Sequence, residues 1–429
     1  MRKFILLLGD IIALIISFFI IVFRVGDWHF VPHVFAIHSY PFLLLGATTI
    51  LILYALDLYD LRNIKPIASN VWRLVVSLTG SFLMGVIYFY GLPIFQITPK
   101  TNLVIFFAAF GVLFILWRRA YFKIFSTTFK SKIVVWGDTT KLSQELIDEI
   151  KHNPHHGYEV LAVIHDENEL LALLDQENLH LVVVGEKIAL SESLVPVLFT
   201  KKVTVMKVRD MHEHIFNKIS LETIDKASFV YNIQNHNKVI PFFYRVAECF
   251  IAGLIILVTS PLLIIIAIAI KLEDGGPVFY THKRLGFLGK EFLLYKFRSM
   301  KTTATDGFHD RVTKKDSRVT KVGRIIRKLH VDEIPQMINV LKGDIGIVGP
   351  RPDMVSLYEG IKDQIPLFHL RLLVKPGFTG WAQIKFRNPE KTDDFEAKLE
   401  YDLYYIKHRE PFMDLGIIVR TIQIIFSHF

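Results

Sequence analysis

The chain has 429 residues, 52% of them hydrophobic, with 35 Phe and a net charge of +9. This length suits two to four domains, and the mean hydropathy of +0.37 excludes an ordinary soluble protein. The positive balance points to cytoplasmic loops, anionic headgroups or anionic substrates; no basic run carries a nucleic-acid fold signature, and the single cysteine, Cys249, excludes an intrachain disulfide.

Four apolar segments come first, near 4–23, 36–56, 72–92 and 102–117, each close to the ~20 residues that cross a bilayer core. The first follows Met1-Arg2-Lys3. It is too long for a signal-peptide core and lacks a small-residue cleavage pattern, so it reads as an uncleaved span. Arg2 and Lys3 precede it, Arg62 and Lys65 separate the second and third spans, and Arg118, Arg119, Lys123, Lys130 and Lys132 follow the fourth. The other loops carry only Arg24 and Lys100. The positive-inside rule then puts both ends of the bundle, assigned 1–125, in the cytoplasm. Asp10, inside the first span, is either functional or bonded to a neighbouring helix.

Residues 130–235 read as a degenerate Rossmann-like α/β module. Lys132–Trp136, Glu159–Ile164, Leu181–Val184 and Val203–Val208 are β-rich, and Leu142–Lys151 is helical. Strands alternating with helices predict a parallel sheet. The first strand ends in Gly137-Asp138-Thr139-Thr140, with one glycine where a dinucleotide turn needs three. His212 and His214 read as surface residues rather than metal ligands.

A fifth apolar segment, Cys249–Ile270, opens the region 241–429 and is interrupted by Ser260-Pro261. Both flanks are basic: Lys238 and Arg245 before, Lys271, Lys283 and Arg284 after. A re-entrant helix that breaks at the proline and returns to the cytoplasm accounts for this, the serine hydroxyl serving a freed carbonyl; a kinked span is the other form. Leu415–Phe429 reads as an amphipathic or interfacial helix.

The residues able to do chemistry lie downstream. In Asp332-Glu333-Ile334-Pro335-Gln336, the proline suits a first helical turn, Met337, Ile338 and Leu341 repeat at helical spacing, and Gly343 suits the C-terminal cap. The acid pair is thus expected at a helix N-terminus, its carboxylates facing different partners: one to attack phosphorus, the other to bind a metal or handle a proton. Taken alone, the pair reads first as a charge pair complementing the helix dipole. Lys296 and Arg298 fall on one face if extended, Arg318, Lys321, Arg324, Arg327 and Lys328 crowd the approach, and two prolines flank Arg351. No Walker loop, metalloprotease helix, nucleophile elbow or cysteine cluster competes.

Taken together, residues 241–429 resemble the bacterial sugar transferase family, the monotopic phosphoglycosyl transferases that act on polyprenyl phosphate. The matching pieces occur in the family's order: Ser260-Pro261, Gly276–Phe279, Lys296–Met300, Asp332–Gln336, Asn339–Asp344, Val348–Pro352, Pro376–Gln383 and Lys398–Tyr405. Four spans and a Rossmann-like module ahead of them resemble the family's long form. The resemblance implies a fold of three parts: a membrane helical bundle, an α/β Rossmann-like module, and an α/β monotopic catalytic domain with a re-entrant helix.

It also implies a bacterial cytoplasmic-membrane enzyme with its catalytic domain facing the cytoplasm. The enzyme would transfer a sugar-1-phosphate from a UDP-sugar to undecaprenyl phosphate and release UMP, opening exopolysaccharide, capsule or O-antigen synthesis. By the same resemblance Asp332 is the nucleophile of a phosphosugar–aspartyl intermediate, and Glu333, with Asp332, binds Mg²⁺. Lys296, Arg298, Arg327 and Arg351 hold phosphates, while Gln383, Asp402 and Asp414 line or support the site. A UDP-hexose without an amino group, galactose or glucose, is the implied donor, and a homodimer is compatible. Phe378, His282 and Lys407–Glu410 depart from the family pattern, the last two at places able to affect sugar choice or local packing. The alternative function is a membrane sensor or scaffold whose α/β module binds a nucleotide beside an inactive transferase-like end. A phospholipid-making transferase is disfavoured because no spaced multi-aspartate motif lies in the spans.

Overall fold

Each apolar run forms a helix, the structure that satisfies every backbone group internally where no water is available. The computed structural model describes all residues except 1, 26–30, 57, 60–66, 92–99, 125–129, 138–139, 154–155, 225–226, 228, 230, 232, 234–240, 302–317, 366, 387–391 and 427–429. Arg62, Lys65, Lys238, Asp138 and Thr139 are therefore outside the described residues. The chain divides into two units, Met1–Phe216 and Asn217–Phe429.

The first unit begins with α1 (Arg2–Val25), α2 (Val31–Ala55), α3 (Ile67–Val86, continued by a π turn to Gly91) and α4 (Lys100–Lys123). Leu6, Leu45, Phe106 and Phe110 fill the interior, and Leu43, Val104 and Val112 point outward. Helices apolar all round suit lipid contact. α1, α2 and α4 contain stretches long enough to cross a membrane, whereas the apolar part of α3, Leu74–Tyr90, is shorter. Asp10 is fully buried and accepts from Arg118 of α4 at 2.7 Å. The second guanidinium nitrogen donates to the carbonyl of Leu58. Asp10 therefore ties helices together.

The α/β module contains β1 (Ser131–Trp136), α5 (Lys141–His152), β2 (Tyr158–Ile164), α6 (Glu167–Gln176), β3 (Leu181–Val184), α7 (Leu194–Thr200), β4 (Thr204–Lys207) and α8 (Val208–Phe216). The sheet is parallel, in the order β2-β1-β3-β4. Leu146 and Ile150 of α5 pack with Met211 and Ile215 of α8 on one face, and Leu170 of α6 with Leu194 and Leu198 of α7 on the other. Thr140 caps α5 through its hydroxyl, which accepts from the Ser143 amide at 3.2 Å.

The second unit starts earlier than the sequence suggests. Ile219, Phe229 and Ile233, within the expected 130–235 module, are buried with Met337, Val340, Phe368 and Leu403, and this unit begins at Asn217. The tie is polar as well as apolar. Trp381 donates to the Asn217 carbonyl at 3.1 Å and Tyr404 to the Asn217 side chain at 2.8 Å.

Helix α9 (Pro241–Asp274) is helical through Ser260-Pro261, so the expected interruption is not a loss of helix. The reason is local. Pro261 cannot donate to the carbonyl four residues back, that of Leu257, and the Ser260 hydroxyl donates there instead at 2.8 Å. Beyond α9 come the hairpin β5 (Phe279–Leu285) and β6 (Glu291–Phe297), α10 (Lys321–Lys328), a 3₁₀ turn at Val331–Glu333, α11 (Gln336–Lys342) and β7 (Gly346–Val348). There follow α12 (Val355–Ile361), β8 (Gly377–Thr379), α13 (Trp381–Lys385), α14 (Thr392–His408) and α15 (Pro411–Phe426). β7 pairs in parallel with β8. α15 begins ahead of the expected Leu415, buries Ile417 and leaves the apolar Leu415 and Ile422 exposed.

Candidate active site

The acid pair sits between two helices rather than in the first turn of one. α10 stops at Lys328, His330 takes a left-handed conformation (φ 55°), and Val331–Glu333 make their own 3₁₀ turn. Pro335 then starts α11, which ends at Gly343 with φ 88°, the left-handed cap that favours glycine. The expected start and stop of α11 are thus seen, but the acids belong to the turn before it.

That turn is docked by Asn339, which is fully buried. Its side chain accepts from the Tyr295 amide at 3.0 Å and donates to the Leu293 carbonyl at 2.7 Å and to Asp344 at 2.9 Å. α11 is thereby joined to β6, the strand that carries Lys296. Sequence reasoning placed Asn339 in a motif without seeing this role; the signal was a polar residue on the apolar face of a helix.

The two carboxylates have different surroundings. One oxygen of Glu333 accepts from Lys296 at 2.7 Å and from Arg351 at 2.9 Å. Burial alone would raise the Glu333 carboxyl, but Arg351 and Lys296 override it and hold the group far below the usual carboxylate range. Asp332 is 9% exposed and makes no ion pair among the described residues. Burial first, then the Glu333 charge, push its carboxyl up against the pull of Lys296 and Arg327. Adjacent carboxylates driven apart in acidity mark a division of roles: Glu333 stays ionised and holds cations, and Asp332 keeps an uncommitted carboxylate.

Arg351 is positioned by close backbone packing and a buried ion network. A Cβ on Gly377 would stand 2.0 Å from the Gly349 nitrogen, and one on Gly380 2.2 Å from the Gly349 oxygen. The loop carrying Arg351 therefore lies where only glycine fits. Behind it Arg371, 3% exposed, donates to the Arg351 carbonyl at 3.1 Å, to Asp402 at 2.7 Å and to Asp353. Lys398 adds a contact to Asp353 at 3.6 Å. Asp402 thus acts on the site through Arg371 and Arg351. Neither Arg371 nor Asp353 was singled out from sequence, because one arginine and one aspartate carry no local pattern.

The remaining candidates make other contacts. Arg298 pairs with Asp274 at the end of α9 and is buried, with Nε and Nη1 unpartnered among the described residues; it and Lys296, two residues apart, reach different partners. Arg327 neighbours Asp332 electrostatically and has one buried nitrogen with no partner among the described residues. Gln383 donates to the Phe378 carbonyl at 3.2 Å and its amide oxygen has no partner among the described residues. Asp414 belongs to a separate cluster. It accepts from Tyr405 at 2.8 Å, lies 3.7 Å from Arg409, and burial raises it to about 6.

Both ends of α9 meet this same unit. Near its start, Arg245 donates to the carbonyls of Val340 and Leu341 at 2.6 Å each, and Ala252 is buried in the core. Near its end, Ile266 and Ile270 pack on Phe297 and Ile326, and Glu273 accepts from the first amides of α10. Between them Leu257, Val258, Ile264 and Ile265 stand 60–70% exposed.

The family model described as bacterial sugar transferase matches residues 239–428, and one described as CoA-binding domain matches 54–176. An Escherichia coli K12 protein named UDP-glucose:undecaprenyl-phosphate glucose-1-phosphate transferase is 34% identical over 315 residues, covering 68% of this chain and 67% of its own. The chain belongs to the bacterial sugar transferase family. An Aeromonas hydrophila protein named UDP-N-acetylgalactosamine-undecaprenyl-phosphate N-acetylgalactosaminephosphotransferase is 39% identical over 188 residues, 44% of each chain. A Salmonella typhimurium undecaprenyl-phosphate galactose phosphotransferase is 34% identical over 199 residues, 43% of this chain and 40% of that one. The matches to these last two thus cover less than half of the relatives' length. With its apolar helices of spanning length, the chain is a membrane protein.

Proposed function

We propose that the chain transfers a sugar-1-phosphate from a UDP-sugar to undecaprenyl phosphate, with Asp332 as nucleophile. The observation that carries this is the split acid pair: Glu333 paired through one oxygen with Lys296 and Arg351, Asp332 buried and without an ion pair among the described residues. The Asp332 carboxylate attacks the β-phosphorus of the donor, the P–O bond to UMP breaks, and a phosphosugar–aspartyl ester remains. The oxygen of undecaprenyl phosphate then attacks that phosphorus and releases Asp332, leaving a lipid diphosphosugar. Two anionic substrates must approach an anionic side chain, so fixed cations aimed at the developing charge lower the barrier. Lys296 and Arg351 are held for that task by Glu333 and by the Arg371 network, and Arg327 stands on the Asp332 side.

The donor set also suits Mg²⁺, which is typically bound by one or two carboxylates together with substrate phosphates. Among the described residues no cluster of three or more candidate ligands forms an all-protein cage. Glu333, with Asp332, would hold the ion, which supplies charge neutralisation at the phosphates.

The surroundings of α9 support a re-entrant rather than a spanning segment. Both of its ends pack on one unit while its middle is apolar and exposed, which seats the catalytic unit at the interface where a lipid phosphate arrives. The orientation with that unit in the cytoplasm rests on the basic loops, and the pathway served, whether exopolysaccharide, capsule or O-antigen, on the family resemblance. The three-part organisation, bundle, α/β module and transferase, belongs to the same proposal, as does a homodimer. The lean toward a UDP-hexose, glucose or galactose, follows the Escherichia coli and Salmonella relatives; the Aeromonas relative is named for an N-acetyl sugar.

The test is nucleotide release by protein in nanodiscs supplied with Mg²⁺, undecaprenyl phosphate and a panel of UDP-sugars. UMP is expected from the wild type, and Asp332→Asn should lose at least about a thousandfold in rate with its melting temperature kept. UDP as the product would mean glycosyl transfer and would sink the mechanism. No nucleotide product from any donor would favour the sensor or scaffold.

A further inference from the structure

His282 lies on β5, two residues from Tyr280, which pairs directly with Lys296 across the hairpin. Residues two apart on a strand share a face, so His282 faces the same side as the lysine that holds Glu333. Its neighbour on that face, Arg284, donates from Nη1 to the Pro352 carbonyl at 3.0 Å, which places this side of β5 against the loop of Arg351. Arg284 also donates from Nε to His282 Nε2 at 3.0 Å.

A guanidinium only donates, so Nε2 must accept and the ring proton must sit on Nδ1. Burial, with the charges of Arg284, Lys296 and Arg351, lowers the ring's pKa to about 3 against the opposing charge of Glu333. The imidazole is therefore neutral across the working range of pH. Among the described residues Nδ1 has no hydrogen-bond partner; the ring's other contact is edge-on with Tyr280 at 5.4 Å between centroids. A neutral donor of fixed tautomer thus stands in a group of cations, where another charge would serve phosphate better.

We propose that His282 is a specificity-determining residue, its Nδ1–H donating to a hydroxyl oxygen of the donor's sugar. The assignment rests on the UDP-sugar reading above. Epimeric hexoses differ in the direction of one hydroxyl, and a donor fixed in place rewards one direction and leaves the other unpaired.

Two substitutions separate the ring's nitrogens. His282→Gln can present an oxygen near Nε2 for Arg284 but no donor at Nδ1, whereas His282→Asn puts an amide N–H near Nδ1. Binding of UDP-glucose, UDP-galactose and UDP to the full-length protein in nanodiscs would be measured by calorimetry, with UMP release measured separately. The wild type should favour one hexose over the other. His282→Gln should shrink that preference about tenfold and keep UDP binding within about twofold, and His282→Asn should keep the preference within about threefold. An unchanged preference in His282→Gln, no preference in the wild type, or an equal loss of UDP binding would overturn the assignment. Sugar discrimination intact in a wild type that releases no UMP would overturn the transfer reaction and leave the His282 assignment standing.

Discussion

The strand ends of the α/β module and the acid turn of the transferase unit make an instructive pair. In the module, sheet order reverses between β1 and β3, the place where α/β folds commonly bind ligands. There Lys207 donates to the carbonyls of Gly185, Glu186 and Ile188 at 3.0–3.4 Å. The Ile188 side chain would lie 2.8 Å from a Cβ on Gly137. The module's lysine is thus spent on its own loop, and hydrocarbon lies against the glycine. In the transferase unit two cations are aimed at Glu333, and the neighbouring carboxylate remains uncommitted. Charges answered within the chain make structure, and a site requires at least one left for a ligand.

Removing the support of the site should have the largest effect on folding. Arg371→Met leaves Asp353 and Asp402 buried without their principal cation, at a cost of about 3–5 kcal/mol. Thermal unfolding in nanodiscs should show the loss, and adding Asp402→Asn should restore part of it. If the single variant melts like the wild type, the network does not hold the Arg351 loop.

Asp414 sharpens the contrast, since it is buried and outside the acid pair. Its folded pKa of about 6 lies above its ordinary value of 3.8, so the folded state binds the proton more tightly. Stability is then greatest below about pH 4 and falls as pH rises toward 6, by about 3 kcal/mol at most. Asp414→Asn should flatten that fall and melt higher at pH 8, with UMP release retained. An unchanged pH dependence of melting would show the carboxyl to be solvated.

Glu333→Gln tests the split itself. The change removes the anion that raises Asp332 and frees two cations that lower it. The acid limb of the rate profile should therefore move to lower pH, with the rate down about a hundredfold. A limb that stays in place would mean that Asp332 does not set it. The smallest effect belongs to the module. Lys207→Met should cost about 1 kcal/mol, speed hydrogen exchange at residues 185–188 and leave UMP release unchanged.

Sequence alone was sufficient wherever the physics is local or periodic. A run of some twenty apolar residues has few fates, so the helices of the bundle are legible in composition and length alone. A proline followed by helical spacing and a glycine marked α11, and β-rich runs marked the four strands of the module. The acid pair and Arg351 were visible as residues, through family motifs and flanking prolines. Tertiary structure decided what those residues meet. Whether Asp332 or Glu333 keeps its carboxylate depends on Lys296, 37 residues from Glu333, and on Arg351, 18 away. Sequence held both cations without saying which acid they pair. The same is true of Arg371 reaching Asp402 across 31 residues, and of Ile219 and Phe229 belonging to the transferase core. Propensity and spacing act over a turn or two of chain, whereas burial and charge pairing act through space, and the chemistry of this site is set by the latter.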